Sequence, residues 1–213
     1  LATYPEEPRF RVAYAKWLMA SGEIDQAAQT LAPVLSLPSP PFGAFWVSGR
    51  LHLRQGRLGE ALKDYRRAFE RSNDTPAPFL KELATVYAMN NRLDEAQTYF
   101  QKAIEKNPSF GAAHADLGLL LETKGEPEKA EGYYRRALEI DPGLIAAQQG
   151  LASLLLEKGE IETAEELFRQ SVKLNPNDPV LRHNLALALE KLGRSEEASA
   201  EREIARQLER KHK

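Results

Sequence analysis

Trp46, Arg50 and Arg54 are spaced four residues apart, so on an α-helix they lie along one stripe. Trp and Arg are the types most enriched where proteins bind each other: a rigid aromatic surface anchors apolar groups, and a guanidinium fork matches a carboxylate. The stripe predicts recognition chemistry, a site for an acidic or C-terminal-carboxylate peptide with an apolar anchor. Packing of Trp46 across the proline-rich stretch around Pro38, Pro40 and Pro41, beside solvated arginines, accounts for the same residues. Catalytic chemistry has no comparable signal. There is no His-Glu-x-x-His, phosphate loop or nucleophile elbow, and the absence of cysteine removes thiolate chemistry and Cys-ligated metal. His52, His114, His183 and His212 are scattered along the chain, and His183 and Glu190 are too far apart to ligate as a pair. No enzyme activity, cofactor or metal is expected.

The elements that must carry this stripe are marked by punctuation. Pro108, Pro142 and Pro176 stand 34 residues apart, each after Asn or Asp. Gly22, Gly56, Asn91, Gly125, Gly159 and Gly193 end apolar-periodic runs, and Ala27, Ala61, Ala96, Ala130, Ala164 and Ala198 follow five residues later. Such a period is one supersecondary unit that cannot bury its own apolar face, so units must stack. Six are predicted, over 8–41, 42–75, 77–110, 111–144, 145–178 and 179–212, with Pro76 inserted. In 111–144, Leu117, Leu120 and Leu121 share one helical face, and Ala130, Tyr134, Ala137 and Leu138 share another after Gly125. Two antiparallel helices per unit follow.

A formal net charge of −2 removes the basic field of a nucleic-acid binder. No apolar run nears the roughly 20 residues that span a bilayer, so membrane insertion is not expected. A soluble protein is expected, and the lack of cysteine suits cytoplasm and periplasm equally. Charge is nonetheless uneven: residues 1–76 carry 10 Lys/Arg against 8 Asp/Glu, and residues 77–178 carry 11 against 17. A solvated helix surface and a polarised groove both fit that distribution.

Leu117, Gly118, Leu121, Gly125, Ala130, Tyr134, Ala137 and Pro142 together resemble the tetratricopeptide repeat (TPR) family. Leu151, Ala152, Leu155, Gly159, Ala164, Phe168 and Pro176 repeat the pattern, as do Leu83, Ala84, Tyr87, Ala96, Phe100, Ala103 and Pro108 with Asn91 in the turn. The first repeat is looser and breaks into Pro38, Pro40 and Pro41, where a distorted turn is expected. The resemblance implies an all-α, right-handed α-solenoid of stacked antiparallel helix pairs. It also implies a concave groove lined by the first helices, which holds a protein or peptide.

Carried onto this chain, that groove brings Lys16 and Met19 before the Trp46, Arg50, Arg54 stripe and Lys81 and Met89 after it. Toward the C-terminus its lining mixes Leu with Glu122, Glu157 and Glu190, which read as solvated helix ends or as a carboxylate ladder. Residues 1–7 read as the tail of a truncated upstream repeat, with Leu1 and Pro5 in repeat slots. Phe10, Tyr14 and Trp17 then present an apolar face for docking or self-association, and Arg202 and Arg206 make the last helix a polar cap. The expected function is a non-catalytic scaffold that binds a protein or peptide. A structural self-assembly or docking module, attached to an enzyme outside these residues, is the alternative.

Overall fold

The computed structural model describes residues 7–211. The upstream tail expected over residues 1–7 lies, apart from Glu7, outside the described residues, as does His212. Among the described residues all regular structure is helical: α1 (Pro8–Ala20), α2 (Ile24–Leu35), α3 (Phe42–Arg54), α4 (Leu58–Glu70), α5 (Ala77–Met89), α6 (Leu93–Lys106), α7 (Gly111–Thr123), α8 (Pro127–Ile140), α9 (Ile145–Lys158), α10 (Ile161–Leu174), α11 (Pro179–Lys191) and α12 (Ser195–Lys211). Helices α1–α6 form one compact unit and α7–α12 a second. In each, neighbouring helices pair and the pairs stack, the all-α solenoid arrangement.

Each pair folds back through a left-handed turn residue. Gly125 has φ 76° and Asn91 φ 58°, conformations that L side chains other than Asn rarely adopt. The next residue then bonds back five positions, Glu126 N–H to the Leu121 carbonyl at 2.9 Å and Arg92 N–H to Tyr87 at 2.9 Å. This closes carbonyls that the helix end would leave open. Pro142 and Pro176 end helices at the other side of each pair, and their carbonyls are put to use. Gln148 Nε2 donates to the Pro142 carbonyl at 2.8 Å, and Arg182 Nε to that of Pro176 at 2.8 Å. His114 Nε2 lies 3.1 Å from the Pro108 carbonyl in the same register. The first unit departs from this rhythm. Its connections 36–41 and 71–76 have six residues against four in 141–144 and 175–178. The distorted turn expected after the first repeat is there, with Pro33 inside the last turn of α2. Arg71 ties it down by donating to Ser39 Oγ at 2.9 Å and to the Pro40 carbonyl at 3.3 Å.

Packing around α4, α8 and α10 is set by a ring buried at the centre of the second helix. Tyr65, Tyr134 and Phe168 are fully buried, each contributing roughly 2–3 kcal/mol of transfer free energy. Room for them comes from small residues on the facing helices. A Cβ on Gly118 would stand 2.8 Å from the Tyr134 ring and one on Gly150 2.2 Å from its Cζ, so the ring is held between its own pair and the next. Gly49 plays the same part for Tyr65, with a Cβ distance of 2.5 Å.

Buried carboxylates add a second tie between pairs of the second unit. Glu131 on α8 is buried and bonded to Arg135 and to Lys158 on α9. Glu165 on α10 is buried beside Arg169 and 3.3 Å from Arg194, which precedes α12. The hydrogen bond from Lys158 holds the Glu131 carboxyl below its ordinary value, against the burial that would raise it.

Replacement of Gly150 by Val is expected to destabilise by about 1–3 kcal/mol through overpacking against an immobile ring. Thermal denaturation should show this as a drop of roughly 3–10 °C, and an unchanged midpoint would mean that the ring yields. Because the folded-state pKa of Glu131 is depressed, its stabilisation is present above the unfolded value of about 4.3 and lost as pH falls through the folded value. The thermal midpoint of Glu131→Gln should therefore fall less steeply than wild type when pH is lowered from 5 to 3, two settings bracketing that value of roughly 4.3. Parallel curves would contradict this assignment.

Candidate functional site

α1 and α3 contain no acidic residue, while between them they carry Arg9, Arg11, Lys16, Arg50 and Arg54. α3 follows the broken connection 36–41, so its entry is fixed by Phe42 rather than by a cap: the Phe42 ring meets Trp46 at 5.5 Å and Phe79 of α5 at 5.0 Å. Trp46, one turn on, is half-buried and edge-on to Phe79 at 5.5 Å. The Lys16 ammonium of α1 stands 5.1 Å from its ring centroid. Trp46 thus spans three successive first helices, from Lys16 on α1 to Phe79 on α5.

Its polar edge is also engaged. Trp46 Nε1–H donates to Glu82 Oε2 at 2.7 Å, and the Tyr65 hydroxyl donates to the same oxygen at 2.6 Å. Arg50 Nε is 3.9 Å from it. Burial, reinforced by the Glu82 charge, pushes the Tyr65 phenol far above its ordinary range, so it stays a donor. Around this knot lies an open depression of about 260 Å³ lined by Met19, Arg50, Leu53, Arg54, Tyr65, Lys81, Glu82 and Thr85. Four of the seven residues expected from the sequence, Met19, Arg50, Arg54 and Lys81, meet there. Trp46 joins through its bond to Glu82 and Lys16 through the Trp46 ring, and Met89 lies exposed on α5 outside the lining. Met19 is itself buried, so it is floor rather than protruding contact.

Glu82 and Tyr65 are residues of this candidate site that sequence reasoning passed over. A signal existed: a buried tyrosine needs an acceptor for its hydroxyl, and Glu82 is the one carboxylate on α5. The second unit solves the same need differently. Tyr134, in the slot of Tyr65, donates to Glu122 of its own pair at 2.8 Å, because Gly150 stands where α5 has Glu82. Glu190 is likewise engaged, 3.2 Å from Arg202 Nη1, while Glu157 is exposed.

Ser48, Asp64 and His52 bring the residue types of a nucleophilic triad together without its geometry. The Ser48 hydroxyl is spent on Asp64 at 2.5 Å, and His52 Nδ1 lies 3.1 Å from the same carboxylate without hydrogen-bonding alignment. Ser48 is buried and has no path to a substrate. Among the described residues no group of three His, Cys, Asp or Glu side chains could hold a metal ion, and no helix is long and apolar enough to cross a membrane.

Comparison with known proteins agrees with this architecture. Three family models described as tetratricopeptide repeat match the chain, one at residues 3–76 and 81–145, the others at 121–179 and 167–198. PilF of Pseudomonas aeruginosa superposes with a TM-score of 0.82 at 15% identity, over 91% of this chain and 88% of that one. YrrB, described as a TPR protein with an unusual peptide-binding site, superposes with a TM-score of 0.67 at 22% identity, over 87% and 93% of the two chains. The CTR9 homolog of Arabidopsis thaliana is 27% identical over 54% of this chain, which spans only 10% of that protein's length.

Loss of the Glu82 acceptor should leave the buried Tyr65 hydroxyl unpaired. Glu82→Leu is expected to cost about 1–3 kcal/mol in urea denaturation and to change the tryptophan fluorescence of the folded protein. Adding Tyr65→Phe should recover part of that loss, and strict additivity of the two substitutions would show that they do not share an interaction.

Proposed function

The chain belongs to the tetratricopeptide repeat family, and from that premise we propose that its first unit holds an acidic partner segment with an apolar anchor against α1, α3 and α5. A scaffold of this family serves protein–protein interaction, and no step of chemistry is assigned to it. The observation that carries the finer reading is the charge of the depression. Arg50, Arg54 and Lys81 line it, Lys16 stands at its edge, and its one carboxylate, Glu82, already accepts from Trp46 and Tyr65. Arg54 is exposed and pairs with no carboxylate among the described residues, so its charge is available to a ligand. Met19, Leu53 and the indole of Trp46 supply apolar surface beside these cations, and exposed Met89 extends it along α5. Such a mixture suits a segment whose carboxylates meet arginine while an aromatic or leucine side chain covers the floor. YrrB, which shares the fold, is described with a peptide-binding site, so peptide capture is a use that this architecture supports.

The same reading divides the chain into repeats 8–41, 42–75, 77–110, 111–144, 145–178 and 179–212, of which the first three supply α1, α3 and α5.

A labelled peptide of alternating Asp and Glu around a central Phe tests the reading by fluorescence anisotropy. Wild type should bind it, with affinity falling as salt is raised, and Arg50→Ala and Arg54→Ala should each weaken binding by about tenfold. Trp46→Ala should do the same through the lost anchor. Equal affinity for the peptide with Gln in place of its acids, or binding that survives all three substitutions, would sink the assignment.

A further inference from the structure

His114 on α7, Gln148 on α9 and Arg182 on α11 occupy one slot of three successive helix pairs, and each turns a nitrogen to the proline carbonyl ahead of its helix. Gln148 and Arg182 use their other arm within their own pair. Gln148 Oε1 accepts from the Ser171 hydroxyl of α10 at 2.7 Å, and Arg182 Nη1 donates to Glu201 of α12 at 2.6 Å. His114 has no such partner among the described residues. On α8, Ala137 stands in the slot of Ser171, one period of 34 residues earlier, and Tyr133 in that of Glu201, two periods earlier. His114 is only 7% exposed, and its Nδ1 is buried without a hydrogen bond. A carbonyl can only accept, so the proton is on Nε2 and Nδ1 carries a lone pair. A buried acceptor left unpaired costs free energy that a donor would recover.

The same imidazole lines an open depression of about 460 Å³ on α7 and α8. Gly132 lies on its wall, exposed in the interior of α8, and a Cβ there would meet no atom within 4 Å, so packing does not call for glycine. Its effect is a bare stretch of helix, at a position where glycine weakens the helix. The Tyr133 ring lies 6.0 Å from the imidazole. Of the remaining lining residues, Lys129 and Arg136 are spent on Glu126 and Glu139, and Glu128 is exposed to water, so none of the three asks for a buried counter-ion.

We propose that this depression binds a tyrosine side chain of a partner protein, its ring laid over Gly132 against Tyr133 and its hydroxyl donating to His114 Nδ1. Nδ1 is closed to solvent, so the Tyr133 ring beside it swings aside as the phenol enters. A hydroxyl is the donor because the equivalent acceptor, Gln148 Oε1, is satisfied by one. A neutral donor suits a buried neutral imidazole, where an ammonium or guanidinium would leave water without a counter-charge. A carboxylate brings no donor at all. The aromatic body adds ring-to-ring contact with Tyr133.

The full chain, isotopically labelled at its histidine nitrogens, is titrated with N-acetyltyrosinamide and with its phenylalanine and O-methyltyrosine counterparts, which lack the donor. His114→Gln assigns the His114 signals by their loss. The tyrosine compound should move the His114 Nδ1 resonance saturably and bind at least about fivefold more tightly than either counterpart. Gly132→Leu, which fills the depression from an exposed position, should abolish the shift. Ala137→Ser offers His114 the hydroxyl that Ser171 gives Gln148, so it should raise the thermal midpoint and weaken the tyrosine compound at least about fivefold. Should that variant not fold, His114→Gln/Ala137→Ser copies the Gln148–Ser171 pair and should likewise lose binding. Equal affinity for the three compounds, an unmoved Nδ1 resonance, or binding that Gly132→Leu leaves unchanged would overturn the proposal. Tighter binding of N-acetyltryptophanamide would overturn the choice of tyrosine.

Discussion

A large ring at the centre of a second helix, as in α4 and α8, can be buried only if the first helices on either side leave space for it. Tyr134 shows the constraint most clearly: it occupies volume that a single Cβ on Gly118 or Gly150 would claim. The rest of the stack adjusts to that exchange of volume between neighbouring pairs. In the first pair the second-helix position holds Leu31, smaller than a ring, and the facing position on α3 is Val47, both within one buried cluster. Where Tyr65 stands, α3 contributes Gly49, which leaves room for the ring, and α5 contributes Glu82 for the hydroxyl. Close packing at interior density makes each such choice depend on the next repeat as much as on its own.

The site of the first unit is a consequence of one of these choices. A buried phenol costs free energy unless its hydroxyl is paired, and Glu82 pairs it from a partly solvated position on α5. The same carboxylate oxygen takes the indole N–H, so Trp46 is held edge-on to Phe79 and under Lys16 instead of swinging in solvent. A rigid aromatic loses little entropy when it meets a partner, which is the physical advantage of anchoring it beforehand. Glu82 thereby spends the one carboxylate of the depression on Trp46, Tyr65 and Arg50, while Arg54 stays exposed.

The second unit invests its carboxylates differently. Glu131 and Glu165 are buried and tied to cations of the following turn or helix, Glu122 serves Tyr134, and Glu190 meets Arg202. Of the acids that read as solvated helix ends or as a carboxylate ladder, Glu122 and Glu190 are engaged within their own helix pairs, and Glu157 is exposed. Glu131 and Glu165 are paired because they are buried: a carboxylate inside the stack needs a cation, and theirs lie one turn or one repeat away.

The sequence by itself determined the helices, their pairing and the turn between them, because those depend on local signals. Prolines at fixed intervals stop helices through their own ring, a Gly or Asn at the turn takes a left-handed φ, and apolar residues at helical spacing mark the faces to be covered. It determined Arg50, Arg54 and Lys81 as neighbours too, since a repeat period converts distance along the chain into adjacency between first helices. Only the tertiary structure decided which carboxylate each tyrosine would use and which acids would stay available. The slot of Glu82 is equivalent by count to that of Gly150, yet one supplies an acceptor and the other a vacancy. Such a difference is settled by the volume and hydrogen-bonding capacity of a side chain on the next helix, which no single repeat contains. The same holds for Trp46, whose partners Lys16, Phe79 and Glu82 come from the repeats on either side of its own.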